Sequence, residues 1–466
     1  MSWNQKKLYY EIALPYTQVL EDLEWYGMRI DLSYLHRLKE ELENKQHELE
    51  TEIYKHVGRI NIKSSEQKAD AIFGKLRIPK FVMDYKYEKF TWKEEKDYFL
   101  TNGGSEAVKN GSNPEYLPYK FYSLDKVNLY KLRETTNHPI AQLMIDYSQV
   151  SKLLSTYINS LLEGNSKGDQ ILFGDRIHPS YFAYTKGGRL AAELVLTIPS
   201  RGDYGKKIKR LFVPDTDEYG FVRLDYSAIE LRFLAWLAQE KTMLNGFASG
   251  VDLHALTTSY IKEFGLNYEE SCLPENSEKR YYGKTTNFTL TYLGTYFSLQ
   301  ETFLKKGIYI DKKRCYDFQE AYFNLYKDIR PFHNRMANTL SEKGYIDNLF
   351  GRRRKFEGVK GVRGDDRKKY QFHSALKSAT SHLVSGSSTG DYVPLKILGA
   401  NELIKKEKFD ARLWCNVHDG LIYQVNKKQI KEFAGIMDKY LRTPENPVTI
   451  DLPLETKINE ESWQGL

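Results

Sequence analysis

Three segments of this 466-residue chain carry side chains suited to divalent cations and phosphates. In residues 221–239, FVRLDYSAIELRFLAWLAQ, a strand pattern runs into Asp225, and Ile229, Phe233, Trp236 and Leu237 then mark one face of a helix. A carboxylate at a strand end beside a helix start is a usual metal-binding position. A plainer account exists, because Ser227 and Glu230 have the S-x-x-E spacing of a capping box. In residues 280–294, RYYGKTTNFTLTYLG, the side chains of Arg280, Lys284, Phe288 and Tyr292 recur every fourth position. On a helix they form one stripe about 18 Å long, cationic at its start and aromatic at its end. That order suits a nucleoside triphosphate lying along the helix, although an amphipathic helix with half-buried aromatics would read the same. In residues 412–425, RLWCNV and LIYQV flank His418-Asp419-Gly420, a hairpin signal that needs no function. An acid at a hairpin tip can nevertheless be brought beside one at a strand end. Asp225 and Asp419 would then hold two divalent ions, magnesium by the hardness of the ligands, with manganese able to substitute.

These segments must be positioned by a chain of several structural units. Residues 1–60 read as helices broken at Gly27, and Ser64 and Gln67 have capping spacing before a short helix that ends near Gly74. Residues 101–118, rich in Gly, Asn, Ser and Pro, read as an exposed loop inside an insertion over about 92–118. Helical pattern resumes over 123–162. Short β-like runs begin near Arg176, a long helical stretch covers 229–343, and the hairpin and a VTIDLPLETKI strand pattern close the chain. Helical arm, sheet, helical insertion and sheet again make the expected class α+β.

Composition excludes less than the motifs include. The balance of 69 Lys and Arg against 62 Asp and Glu, 28% charged and 41% hydrophobic residues, describes a globular chain with a core. The longest apolar run, near residues 233–238, is far too short to cross a membrane, and no leader pattern opens the chain, so a cytoplasmic protein is expected. Cys272, Cys315 and Cys415 are too scattered for a Cys-x-x-Cys site and read as buried or half-buried thiols. Net charge alone says little, but residues 352–369 hold nine Lys or Arg against three acids. This basic stripe is either a solvated loop or a polyanion contact.

In order and spacing the three segments resemble motifs A, B and C of the family A DNA polymerases, the group of bacterial DNA polymerase I and its phage relatives. DYSAIELR, RYYGKTTNF with Tyr292, and VHDG carry the resemblance. GGRL at 187–190, IPSRGDYGKKIKRLFVP at 198–214, DLH at 252–254, GYIDNLFGRRR at 344–354 and the thumb-like KLLSTYI at 152–158 extend it over nearly the whole chain. The resemblance implies a right-hand fold with thumb, palm and fingers and an antiparallel palm sheet. Residues 1–170 would form the palm entry and helical thumb, 171–240 the palm with motif A, 241–350 the fingers, and 351–466 the palm with motif C.

It also implies roles. Asp225, Asp419 and the Tyr226 carbonyl would hold two magnesium ions. Arg280, Lys284 and His254 would contact the triphosphate, with Lys284 as proton donor to pyrophosphate. Phe288 would stack on the incoming nucleotide, Tyr292 would guard the template side, and Glu230 would exclude a 2′-hydroxyl. Arg189, Arg201, Arg352, Arg353, Arg354, Lys377 and His418 would meet DNA. The implied activity is template-directed addition of dNTPs to a primer 3′-hydroxyl. Because the resemblance starts almost at the first methionine, no 3′-5′ exonuclease is expected, and the compact form suggests a phage or mobile-element enzyme in a bacterial host. A separately encoded exonuclease or other replication proteins would then be its partners. The rival readings are a single-subunit RNA polymerase-like enzyme, which Glu230 opposes, and a polymerase-like DNA-binding subunit without catalysis.

Three places depart from the family. Gly420 stands in place of the motif C glutamate, and is expected to serve the tight turn through a positive φ. Thr289 and Leu293 stand where the motif B helix usually has glycines. His373 and Lys377 stand where Asn and Gln usually read the minor groove.

Overall fold

The computed structural model describes residues 3–78, 124–136, 138–164, 168–183, 185–199 and 202–466. The insertion expected over about 92–118 and the candidate Arg201 lie outside these residues. The chain divides into two compact units: Met1–Leu38, Thr156–Tyr296 and Tyr316–Leu466 form the first, and Lys39–Ser155 with Phe297–Cys315 form the second.

Helix α1, Leu14–Tyr26, buries Tyr16, Val19, Leu20 and Leu23 and ends at Gly27, whose φ of 62° supplies the left-handed stop. Helix α2, Leu32–Val57, begins in the first unit and continues through the second. Within the second unit it buries Leu42, Leu49, Ile53 and Val57, a stripe at helical spacing. Two further helices there are α3, Lys126–Thr135, and α4, Ile140–Leu153, separated near Pro139 in what the sequence reads as one helical run. Gln46 donates to Ser151 at 2.5 Å and Tyr147 to Glu50 at 3.0 Å, so polar bonds tie α2 to α4 beside the apolar stripe. The capping expectation holds at Ser64, whose hydroxyl accepts from the Gln67 amide at 3.3 Å.

The first unit is organised by a four-stranded antiparallel sheet. Its strands are β1, Tyr219–Tyr226; β2, Ala411–Val417; β3, Gly420–Asn426; and β4, Leu454–Asn459, in the order β4-β1-β3-β2. Side chains alternate faces along a strand. Val222, Leu224, Tyr226, Leu421, Tyr423 and Val425 therefore turn into the main hydrophobic core. Phe221, Arg223 and Asp225 take the other face, where Phe221 packs on Trp414 with ring centroids 4.6 Å apart and Phe212 and Trp463 complete an aromatic cluster.

After β1 come α5, Ile229–Ala238; α6, Leu253–Tyr260; α7, Ser277–Thr291; and α8, Ile329–Lys343. Helix α9, Lys369–Ser385, passes through a π-helical segment, Gly386–Tyr392, into α10, Val393–Glu407. Helix α5 is buried nearly all round, with Leu231, Leu234, Ala235 and Ala238 inside beside Ile229 and Phe233, a wider face than the periodicity indicates. No helix among the described residues is long and apolar enough to cross a membrane. Cys315 and Cys415 are buried, whereas Cys272 is exposed rather than half-buried, standing at the last position of the one-turn helix Tyr268–Cys272.

Three histidines of the first unit, His254, His333 and His382, are buried. His333 on α8 donates Nε2–H to the Thr291 carbonyl at 3.0 Å, and burial holds its pKa down to about 4. A histidine kept neutral binds fewer protons folded than unfolded between its folded value of about 4 and the ordinary 6.5, so stability rises with pH across that window. The free energy of unfolding should thus fall on acidification from pH 6.5 to pH 4, by on the order of 3 kcal/mol for this residue. Urea melts of His333→Gln, which keeps a donor for Thr291, should show a shallower pH slope than wild type; equal slopes would remove His333 from the effect.

Candidate active site

Register brings the two acids together. In the β1–β3 pairing Gly420 lies opposite Asp225, and the hairpin between β2 and β3 is the two-residue turn His418-Asp419. The Tyr226 amide donates to the Asp419 carbonyl at 3.3 Å, which fastens the hairpin tip to the end of β1. Burial, then the charges of Asp225 and Glu230, push the Asp419 carboxyl up to about 7. Burial also raises Asp225, opposed chiefly by Arg223, whose Nη2 lies 2.8 Å from Asp225 Oδ2. Among the described residues no group of three or more His, Cys, Asp or Glu is gathered. The donor set is a pair of half-desolvated carboxylates whose repulsion Arg223 relieves only in part, and this chemistry fits a divalent cation shared between hard oxygens.

The positive φ expected at Gly420 is instead at His418, where φ is 59°. Glycine at 420 serves a different purpose: a Cβ there would stand 2.7 Å from Asp225 Oδ1, so any side chain would turn that carboxylate, and 3.4 Å from Arg223 Nε. The constraint is close approach of the backbone to the acid, not turn geometry.

The capping account of Ser227 and Glu230 is also set aside. Helix α5 begins after Ala228, which is left-handed at φ 54°, and no side chain caps it. The Glu230 carboxylate is bound by Tyr292 Oη and by Arg189 Nη2. Ser385 Oγ completes the group, 2.6 Å from Arg189 Nη2 and 2.8 Å from Tyr292 Oη. Arg189 is delivered by a loop of bare backbone: Cβ atoms on Gly386 and Gly390 would meet the carbonyls of Gly187 and Gly188 at 2.9 and 2.6 Å. His418, exposed at the hairpin tip, is held below the usual imidazole range by partial desolvation of its ring and by Arg189, and lies at the same edge.

On α7 the stripe is as the spacing predicts, with Tyr292 just past the last helical residue. Arg280 is paired with Asp252, Nη2 to Oδ2 at 2.5 Å, and Asp252 also caps α6 through the amides of His254 and Ala255. Lys284 Nζ lies 5.8 Å from the Phe288 ring centroid, and Phe288 keeps 36% of its surface exposed. His254 faces the same ring at 5.8 Å, is 3.0 Å from Asn287 Nδ2, and is held down to about 4 mainly by burial. It is therefore a neutral imidazole at physiological pH and not a third cation. Gly283 permits this proximity, since a Cβ there would strike Thr258 and the His254 carbonyl. Leu293 adopts φ 55°, so the backbone after α7 takes a glycine-like conformation without glycine.

The basic stripe divides. Arg352 is not a surface cation: its guanidinium binds fully buried Asp391, Nη2 to Oδ1 at 2.5 Å, and Asn348 donates to the same carboxylate at 2.6 Å. Arg353 pairs with exposed Asp347 at 2.7 Å, and Arg354 is half-buried over the Phe356 ring. Lys355, Lys360, Arg363, Arg367, Lys368 and Lys369 are exposed, while Lys377 is half-buried on α9 beside His373. Sequence reasoning missed Arg223, Asp252, Ser385 and Asp391. Arg223 was findable, since a residue two before Asp225 on a strand shares its face; Asp252 stands in the DLH segment without a role of its own, and Ser385 and Asp391 gave no local signal.

The sequence profile of DNA polymerase family A matches residues 108–464. A DNA polymerase I of Helicobacter pylori is 28% identical over 450 residues, covering 96% of this chain and 43% of that protein. A DNA polymerase I of Synechocystis is 29% identical over 475 positions, covering 98% of this chain and 42% of that protein. The chain thus spans under half the length of these relatives. Among solved structures, the POL domain of Pol1 from M. smegmatis, in complex with DNA primer-template and dNTP, aligns with a TM-score of 0.77 at 22% identity, over 98% of this chain and 71% of that one. The two share a fold, the α+β polymerase right hand with an antiparallel palm sheet. With the profile spanning all three motifs, from Asp225 through the α7 stripe to Asp419, the chain belongs to DNA polymerase family A.

Proposed function

We propose that this chain is a template-directed DNA polymerase, which extends a primer 3′-hydroxyl with dNTPs. The observation that carries the reading is a chain of residues linking the acids to the stripe. Asp419 is fastened beside Asp225 at the end of β1, the charges of Asp225 and Glu230 both disfavour its ionised form, Glu230 is bound by Tyr292, and Tyr292 terminates the helix that bears Phe288, Lys284 and Arg280. A nucleotide whose α-phosphate met the acids could lay its β- and γ-phosphates against Lys284 and Arg280. Residues 171–240 and 351–466 are assigned to the palm, 241–350 to the fingers and 1–170 to the palm entry and thumb.

Asp225 and Asp419, with the Tyr226 carbonyl, would hold two magnesium ions, or manganese in their place. When bound, such ions supply Lewis-acid stabilisation of the attacking and departing oxygens of an in-line displacement. The side chains do the rest. Lys284 donates a proton to the departing pyrophosphate, and Arg280 exchanges Asp252 for a phosphate. Phe288 stacks on the base, and neutral His254 donates one N–H to a phosphate oxygen. Glu230, held by Tyr292 and Arg189, fills the space a 2′-hydroxyl would need. Primer-template DNA meets Arg189, His418, Lys377 and the exposed cations of residues 353–369.

A primer-extension assay with dNTPs and then NTPs tests the reading; extension with dNTPs and discrimination against NTPs are expected. Asp225→Ala and Asp419→Ala should each lower extension on the order of a thousandfold while leaving primer-template affinity near wild type. Wild-type rates in either variant would refute the assignment of the acids.

The divided basic stripe gives contrasting outcomes. Arg352→Ala leaves Asp391 charged and buried, and should destabilise the fold by about 3–5 kcal/mol. Replacing Arg367, Lys368 and Lys369 by Ala together should leave the melting temperature unchanged and flatten the salt dependence of DNA binding by up to about two to three log units per decade of salt. An unchanged slope would return these residues to a solvated loop.

A further inference from the structure

Arg223 is a cation built into the carboxylate centre, and nothing in the proposed chemistry uses it. Its neighbours are fixed by register: Asp225 shares its face two residues on, Ile422 lies opposite on β3 and Lys457 opposite on β4, while Glu455 and Gly420 flank Asp225. Lys457, paired with Glu455 at 2.9 Å, acts on Asp225 only through space, and the cation in direct contact with Asp225 is Arg223, Nη2 to Oδ2 at 2.8 Å. Lys209 stands in the same neighbourhood and lies 5.2 Å from the Trp463 ring centroid. Both Arg223 and Asp225 retain only 25% of their side-chain surface, so water screens the pair weakly.

Residue 420, which has no side chain, lies directly against the pair. A Cβ at 420 would press Asp225 Oδ1 at 2.7 Å and touch Arg223 Nε at 3.4 Å. Gly420 and Arg223 are thus two halves of one arrangement: the missing side chain opens the flank of Asp225, and the guanidinium occupies that flank. Arg223 Nη2 meets Oδ2, and Oδ1 is the oxygen on the Gly420 side.

We propose that Arg223, admitted by the absence of a side chain at Gly420, is a positioning residue that fixes the Asp225 carboxylate and weakens the hold of the centre on divalent cations. The inference rests on the polymerase reading of Asp225 and Asp419. The direction follows from Coulomb's law, since a fixed positive charge on a ligand carboxylate opposes a second cation there. Outer-shell partners of metal ligands change affinity by tenfold or more, and here the partner has the sign that lowers it.

The test is calorimetric titration of Mn²⁺ into the whole chain without DNA, with Asp225→Ala as the blank and a thermal melt of each variant. Arg223→Met and Arg223→Gln should each bind Mn²⁺ about tenfold more tightly than wild type, and Arg223→Lys, which keeps the charge, should stay near wild type. In extension assays the Met and Gln variants should need correspondingly less Mg²⁺ for half-maximal rate, with KM for dNTP unchanged. Gly420→Ala, which displaces Oδ1 against the held carboxylate, should cost more in the wild-type background than with Arg223→Met, where the carboxylate can turn away.

If wild type extends no primer, the polymerase reading falls and the proposal with it; if it extends primers but neither it nor the Arg223 variants show Asp225-dependent Mn²⁺ binding, only the proposal is overturned. If wild type binds but Arg223→Met and Arg223→Gln, folded by their melts, bind no more tightly, only the role of Arg223 is overturned. Should one of the two neutral variants fail to fold, the other decides. Additive effects of Gly420→Ala and Arg223→Met would overturn the claim that the two positions act together.

Discussion

Strand register is the constraint from which the site follows. With Gly420 opposite Asp225, the turn residue Asp419 falls beside the end of β1, and the two acids share one edge of the sheet. A slip of one residue would turn Asp225 and Arg223 into the apolar core and expel Val222, Leu224 and Tyr226 from it. The core side chains of β1 and β3 therefore lock the geometry of the acids without touching them. Burial of hydrophobic surface on one face sets the positions of charges on the other.

That lock imposes an electrostatic load. Asp225, Asp419 and Glu230 are brought close in a half-desolvated region, and the fold answers each carboxylate differently. Glu230 is tied by Tyr292 and Arg189, Asp225 by Arg223, while the strain of like charge is concentrated on Asp419. Farther along α7, Arg280 has its own carboxylate in Asp252. The centre is thus a set of ion pairs and hydrogen bonds, with Asp419 the carboxylate whose charged form is most disfavoured.

Much of this was legible in the sequence because it is local. The strand into Asp225, the i, i+4 stripe on α7 and the hairpin around His418-Asp419 are each written within a dozen residues, and each is observed. The α+β class and the helical arm follow from the same periodicities. What was not legible depends on partners far apart in the chain. Arg352 reads as one more member of a basic run until Asp391, thirty-nine residues later, is found buried against it. Glu230 satisfies a capping pattern until Tyr292 and Arg189 claim its carboxylate and Ala228 takes the left-handed turn instead. Gly420 suggests turn chemistry until its neighbour across the sheet proves to be the acid itself.

The loop that delivers Arg189 meets the helix behind it glycine to glycine, Gly187 and Gly188 against Gly386 and Gly390. Where two side chains touch, a lineage can drift by enlarging one while the other shrinks. Here neither partner has anything left to remove, so no compensating change exists across the contact. Adding even a methyl group on the helix side pushes on a carbonyl of the loop. This contact is closed to gradual retuning by reciprocal substitution, and any divergence around Arg189 must be written elsewhere, in side chains such as Glu230, Tyr292 and Ser385 that gather about its guanidinium.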